Sequence, residues 1–333
     1  MKAALIDRYG SNERVNVRDI AVPVMGAMDL LVQVHAAGVN PLDVKTRNGA
    51  VKVLLKYQFP LVLGNDLSGV VSDVGAKVTR FKKGDAVYAR VDQDRLGAFA
   101  EFALVREGTA ASKPTNLTFE EAASLPLVAL TSWQALVEIG KLAAHQRVLI
   151  HAGSGGVGSM AIQLAHHLGA TVFTTVGQRN IDVVKRLGAD VAIDYRSERF
   201  EDVAKNCDVV LDSAGGETLV RSFECVKPGG VVVSIGNTLS PAFAQSWGLN
   251  PIIVLAIRVM SRKVTAAARR HGARFEYLFS RADGQQLGEI TRRAERGILR
   301  PLIDKVFPLE EVRDALAYSE SGRATGKVVI KVV

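Results

Sequence analysis

Cysteine is scarce and long apolar runs are missing from this 333-residue chain. Only Cys207 and Cys225 occur, without C-x-x-C spacing, which excludes a disulfide framework and leaves both expected as buried small apolar residues. The longest apolar run, Ile252–Ile257, is far too short to span a bilayer. At the N-terminus Asp7 and Arg8 interrupt the apolar residues before a signal-peptide core forms. The expectation is a cytoplasmic protein with no membrane partner. Aromatics make up only 6% of residues and show no stacking pattern, so the net charge of +8 is not read as a nucleic-acid surface. Much of that charge falls between Arg258 and Arg300, at Arg262, Lys263, Arg269, Arg270, Arg274, Arg292, Arg293 and Arg296. Such a cluster reads first as a solvated helix face, or as one that attracts an anionic cofactor.

What is present is ordinary globular composition, 48% hydrophobic and 23% charged, in a chain long enough for two domains. Up to about residue 115 short strands alternate with turns: Leu30–Val34, Gly69–Gly75, and Ala86–Ala89 after the Gly84-Asp85 turn. That spacing predicts a barrel-like β domain. Beyond Pro114 the pattern changes. Thr118 stands as N-cap of a helix with Glu121 three residues on, a capping-box spacing. Strands at Arg147–His151, Thr171–Val176, Val191–Ile193, Val209–Asp212 and Gly230–Ile235 then follow, with helices at Val157–Leu168 and Ile181–Leu187. This alternation predicts an α/β fold with a doubly wound parallel sheet. A last strand is expected within Gly326–Val332.

The chemistry-bearing motif is Gly153-Ser154-Gly155-Gly156-Val157-Gly158, a G-x-G-x-x-G turn with an apolar strand before it and a helix after it. Backbone N–H groups at such a turn approach a pyrophosphate closely, and the helix N-terminus adds partial positive charge. An NAD site places an acid near the end of the next strand to bind the ribose hydroxyls. Thr174-Thr175-Val176-Gly177-Gln178-Arg179-Asn180 holds no acid but offers Arg179, suited to a 2′-phosphate. The predicted cofactor is NADPH.

These residues resemble the medium-chain dehydrogenase/reductase superfamily, in its zinc-free quinone oxidoreductase and alkenal/enone reductase branch. The resemblance rests on Val148–Gly158, Glu120–Pro126, Leu130–Leu136, Gly38–Asp43 and Arg323–Lys327, in family order. It implies a GroES-like β-barrel domain, residues 1–117 and 262–333, around an inserted Rossmann domain, residues 118–261. It implies cofactor contacts at Lys45, Thr131, Ser154, Gly155, Gly156, Val157, Gly158, Arg179, Asn180, Tyr195, Ile235 and Arg323. Relatives often carry serine where this chain has Gly177. Asn40 and Lys45 are the candidate donors to a developing oxyanion, with Tyr57 at the wall of the substrate site. Asn40 reads equally as a turn residue beside Pro41, and Tyr195 alternatively as a core tyrosine.

No metal is expected. A catalytic zinc in this superfamily needs an early cysteine and a Gly-His-Glu segment, whereas this chain reads Gly64-Asn65-Asp66 and has no cysteine before Cys207. Without a Lewis acid the substrate must already be electrophilic, which suits quinones and α,β-unsaturated carbonyls. Enoyl-thioester reduction, and a non-catalytic NADPH-binding protein with an RNA or protein partner, stand as alternatives. The resemblance also implies a homodimer, formed near the Gly230–Ile235 strand and the apolar residues that follow it; the competing reading is that Ile252–Leu255 covers the protein's own cleft and leaves a monomer.

Overall fold

The computed structural model describes all 333 residues and divides into two compact units, Met1–Leu130 with Arg281–Val333, and Thr131–Ser280. In the first unit β1 (Lys2–Ile6) pairs with β2 (Asn16–Asp19) and β4 (Leu61–Val62). The larger sheet holds β3 (Asp29–Val39), β5 (Asp66–Val74), β6 (Ala86–Arg90), β7 (Phe102–Arg106) and β8 (Ala110–Ser112). The helices here are α1 (Pro41–Arg47), which follows β3 directly, and α2 (Phe119–Ala123). The predicted capping box is present: Thr118 Oγ1 accepts from Glu121 N at 3.2 Å, and Glu121 Oε2 accepts from Thr118 N at 2.8 Å. α3 (Pro126–Trp133) follows.

The second unit is a six-stranded parallel sheet. β9 (Arg147–Ile150), β10 (Thr171–Val176), β11 (Val191–Asp194), β12 (Cys207–Asp212), β13 (Val226–Ser234) and β14 (Arg274–Tyr277) lie in the order β11-β10-β9-β12-β13-β14. Connections leave β9 in both directions, so the switch point lies between β9 and β12, where doubly wound sheets bind ligands at their carboxyl ends. Val148, Leu149, Ile150, Val209, Val210, Val231 and Val232 are all buried, as expected of parallel strands covered on both faces. The helices of this unit are α4 (Gly156–His167), α5 (Ile181–Arg186), α6 (Phe200–Val203), α7 (Gly216–Arg221), α8 (Pro241–Ser246), α9 (Pro251–Met260) and α10 (Arg262–Arg270).

The chain then returns to the first unit through α11 (Gly284–Glu295), β15 (Ile303–Pro308), α12 (Val312–Glu320) and β16 (Lys327–Lys331). β16 pairs antiparallel with β3, Val328 opposite Val39, so the terminal strand sits where the sequence placed it.

Two expected boundaries change. The nucleotide unit was expected to span residues 118–261, yet it begins at Thr131, and β14 continues the parallel sheet and carries it to Ser280. The Gly230–Ile235 strand does lie near the edge, as expected, with β14 outside it as the edge itself. A short strand that follows the basic helix α10 has little apolar signal to announce it.

Candidate active site

Chain reversal after β9 depends on three glycines doing different things. A Cβ on Gly153 would stand 2.1 Å from Thr174 Oγ1, and one on Gly158 would stand 2.3 Å from the Ala152 carbonyl oxygen. Both sites are closed to any side chain. A Cβ on Gly155 would meet nothing nearer than Ala152 O at 3.3 Å, so Gly155 keeps space free above the turn. The left-handed residue is Ala152, φ +54°, not a glycine. No side chain caps the N-terminus of α4, which leaves its first-turn N–H groups facing outward for an anion. These features fit a dinucleotide pyrophosphate: the residues that would hold it are Ser154, Gly155, Gly156, Val157 and Gly158.

The next strand end adds an adenosine-side surface. After β10 a single helical turn, Gln178–Asn180, carries Arg179 exposed and free of any ion pair. Asn180 Nδ2 donates to Ser154 Oγ at 3.1 Å, tying this turn to the glycine turn. Tyr195 follows β11 and its N–H donates to Val176 O at 3.2 Å. It is 56% exposed, so it is not a core tyrosine. Its ring lies beside Gly177, where an added Cβ would sit 3.7 Å from Tyr195 Cε1. The Arg196 guanidinium lies 5.5 Å from the centre of that ring. Sequence reasoning passed over Arg196, whose signal was its place directly after a strand-end tyrosine. Ile235 follows β13, and its N–H donates to Asp212 O at 2.9 Å. Thr131 is buried and donates through Oγ1 to Ser280 Oγ at 2.9 Å.

Beneath the glycine turn lies a residue the sequence reading also passed over. His151 is buried, and burial pushes its imidazole down to about 4, so it is neutral at pH 7. Its tautomer follows from its neighbours. Ser222 Oγ donates to Thr218 O at 2.7 Å, so it accepts from His151 Nε2–H at 2.9 Å. His151 Nδ1 then accepts from the Thr175 hydroxyl at 3.0 Å, and Thr175 Oγ1 accepts from the Ala152 N–H at 3.2 Å. One directional chain of hydrogen bonds thus runs from the left-handed residue of the turn to α7.

The first unit holds Asn40, Lys45, Tyr57 and Arg323. Asn40 caps α1 and is fully buried. Its Nδ2 donates to Gly38 O at 3.2 Å and to Asp66 Oδ2 at 2.9 Å, while its Oδ1 accepts from Lys327 Nζ at 2.6 Å. Both amide hydrogens are committed, so Asn40 offers none to an oxyanion. Asp43 Oδ1 accepts from Asn65 Nδ2 at 2.6 Å, and Lys327 Nζ lies 3.7 Å from Asp66. Burial pushes Asp43 up to about 7 and Asp66 upward as well, while it lowers Lys327. Lys45 lies one helical turn along α1, half-buried and without an ion pair, its ammonium lowered by burial. The Tyr57 hydroxyl donates to Gln93 O at 2.8 Å, and burial raises its pKa. Arg323 is exposed.

Residues 26–115 match the family described as the alcohol dehydrogenase GroES-like domain, and residues 187–330 that described as zinc-binding dehydrogenase. The NAD(P)H oxidoreductase RTN4IP1, mitochondrial, of Danio rerio is 35% identical over all of this chain and 92% of its own length. The NADPH-dependent alkenal/one oxidoreductase, chloroplastic, of Arabidopsis thaliana is 34% identical over 99% of this chain and 79% of its own. The quinone oxidoreductase structure from Coxiella burnetii superposes with a TM-score of 0.87 at 34% identity, covering 100% of this chain and 99% of that one. The chain belongs to the medium-chain dehydrogenase/reductase superfamily, in its quinone oxidoreductase and enone reductase branch.

Among medium-chain reductases the family name raises the question of zinc, and the residues present do not fit it. Asn65 replaces a histidine ligand with an amide that donates to Asp43. The buried carboxylates already face cations of the protein: Lys327 draws on Asp66 and Asp43, and buried Arg90 draws on both. A dication added there would leave two fixed buried cations uncompensated. The cations of this site are the Lys327 ammonium and the Arg90 guanidinium.

Proposed function

We propose that this chain is an NADPH-dependent, zinc-independent reductase that delivers hydride to a quinone or to an α,β-unsaturated carbonyl. The observation that carries the choice of NADPH is Arg179: an exposed, unpaired guanidinium stands at the strand end where an NAD site carries an acid. Tyr195 gives the adenine a flat neighbour, and Arg196 adds a second cation. The bound nicotinamide supplies the hydride. The protein's own work is to hold the pyrophosphate on uncapped backbone N–H groups and to meet the negative charge that hydride addition leaves on oxygen. Lys45 is the proposed donor to that oxyanion, because its ammonium is half-buried and unpaired while Asn40 has no hydrogen to give. Tyr57 is proposed as a wall of the substrate site, and Thr131, Ile235 and Arg323 as further cofactor contacts.

An enone or quinone needs no Lewis acid, since the added charge delocalises as an enolate or hydroquinone anion. That matches a site whose buried acids face lysine and arginine. The relatives named above as an alkenal/one oxidoreductase and a quinone oxidoreductase support the same substrate class. The test is NADPH oxidation measured side by side with quinones, alkenals, enones and enoyl thioesters. Turnover of quinones or enones is expected; cofactor binding without turnover of any member would overturn the reading.

We further propose a cytoplasmic homodimer. β14 has one open edge, and Arg274 and Glu276 alternate along it, so antiparallel pairing across a two-fold axis sets a cation against an acid. Relatives named mitochondrial and chloroplastic make cell fractionation the check on location.

A further inference from the structure

No acid occurs between Glu224 and Glu276, a stretch that includes all of α8, α9 and α10. Within it Arg258, Arg262, Lys263, Arg269 and Arg270 are exposed, and none of the five is held in an ion pair. The apolar residues here are equally unusual. α9 reads Pro-Ile-Ile-Val-Leu-Ala-Ile-Arg-Val-Met, and only Val254 and Ile257 are buried, packed with Ala244. On the outer face Ile252 is 79% exposed, Leu255 59%, Val259 57% and Met260 81%. Positions 252, 255 and 259 follow helical spacing, so these side chains form one stripe about 10–15 Å long. An ordinary surface helix turns charged residues outward; this one has a single arginine. Beside the stripe lies an open groove of about 340 Å³, lined by Gln245, Leu249, Pro251, Val254, Leu255 and Arg258. Its lining is mostly apolar, with Gln245 and Arg258 as the polar members.

We propose that α9 and α10 form a peripheral docking face for an anionic lipid bilayer. The exposed stripe enters the headgroup–acyl boundary and the flanking arginines and lysine meet lipid phosphates. An outward apolar stripe joined to a cationic helix is the pattern of a helix that lies in the interface plane. Charge decides between occupants. A second copy of this chain, seated through the same face, would set the same cations against one another with no acid to answer them. No helix of the protein is long and apolar enough to cross a membrane, and a docking face needs none. The sequence expectation of no membrane partner rested on that missing span and does not bear on a surface that lies flat. The proposal does not rest on the substrate reading, since none of these residues is among those proposed above to hold cofactor or substrate.

The test is co-sedimentation of the full chain with vesicles of phosphatidylcholine alone, and with about one-third phosphatidylglycerol added. The anionic vesicles should bind at least about tenfold more tightly, and raising the salt to about 0.5 M should release the protein. Ile252→Glu with Met260→Glu, and separately Arg262→Glu with Lys263→Glu, should each weaken binding about tenfold or more. Affinity for NADPH should be unchanged in both, which also reports that they fold. Equal binding to both vesicle types, no binding, or full binding by both variants would overturn the proposal. So would a wild type that ignores vesicles but falls from dimer to monomer on Ile252→Glu with Met260→Glu, or that instead binds an acidic carrier protein.

Discussion

The Lys327 ammonium lies 2.6 Å from Asn40 Oδ1, a contact between residues 287 positions apart, and it is buried together with its partners. Around it α1, β5, β6 and β16 bring one set of charges together: Lys327 and Arg90 against Asp66 and Asp43. Replacing one member leaves its opponents uncompensated and buried. Lys327→Met should therefore cost about 3–5 kcal/mol in urea unfolding. The double variant Lys327→Met with Asp66→Asn, which removes one charge of each sign, should recover much of that loss. If the double is no more stable than the single, the pairing does not govern the site.

Because lysine and arginine compensate the acids, activity should survive exhaustive dialysis against a strong chelator. Elemental analysis accompanies the assay. Stoichiometric zinc that is lost together with turnover would refute the metal-free reading.

The glycine turn makes two substitutions that look alike behave differently. Gly158→Ala drives a methyl to 2.3 Å from a backbone oxygen and should prevent stable folding. Gly155→Ala meets only Ala152 O at 3.3 Å, in a backbone with φ −79° that alanine adopts freely. Its unfolding midpoint should stay near wild type while its Kd for NADPH rises about tenfold or more, because the methyl enters the phosphate space. Equal thermal loss in both variants would remove the distinction between packing and ligand space.

This turn was legible in the sequence because its determinants are local: a strand, glycines at fixed offsets and an apolar helix face lie within Arg147–Leu168. The capping box at Thr118 and the free cation at Arg179 were legible for the same reason. The sequence left Asn40 open between an oxyanion donor and a turn residue because its partners Asp66 and Lys327 come from strands far along the chain, and pairing register is not written near Asn40. His151 looked like the last residue of an apolar strand; only the hydroxyls of Thr175 and Ser222 show its role. β14 was missed because four residues of mixed polarity carry no period.

His151 should leave a signature in the pH dependence of stability. Its folded pKa, about 4, lies below the ordinary value of 6.5. Between those values the unfolded chain binds a proton that the native protein does not. The stabilising share of neutral His151 is therefore complete above 6.5 and is lost as pH falls toward 4, by up to about 3 kcal/mol in all. In His151→Gln that slope should flatten, by up to about 1.4 kcal/mol per pH unit in the middle of the window. NADPH affinity should fall as well, since the chain from Ala152 through Thr175 would lose its anchor. An unaltered slope would mean that His151 is protonated in the native protein and that its two hydrogen bonds run otherwise.

Cofactor choice should turn on Arg179. The guanidinium is exposed, has no acid beside it, and is carried on a turn that Asn180 fastens to Ser154 of the phosphate site. A 2′-phosphate there gains a charge-assisted hydrogen bond of roughly 1.5–3 kcal/mol, which NADH has no group to accept. Arg179→Ala should then raise the Kd for NADPH about ten- to hundredfold and leave that for NADH nearly unchanged, read by fluorescence titration of each cofactor. Tyr195 and Arg196 make the result sharper, because they flank the same strand ends. If Arg196→Ala alone reproduces the loss and Arg179→Ala does not, the phosphate sits on the β11 side. Equal weakening of both cofactors by Arg179→Ala would show that the residue holds up the turn and reads no phosphate.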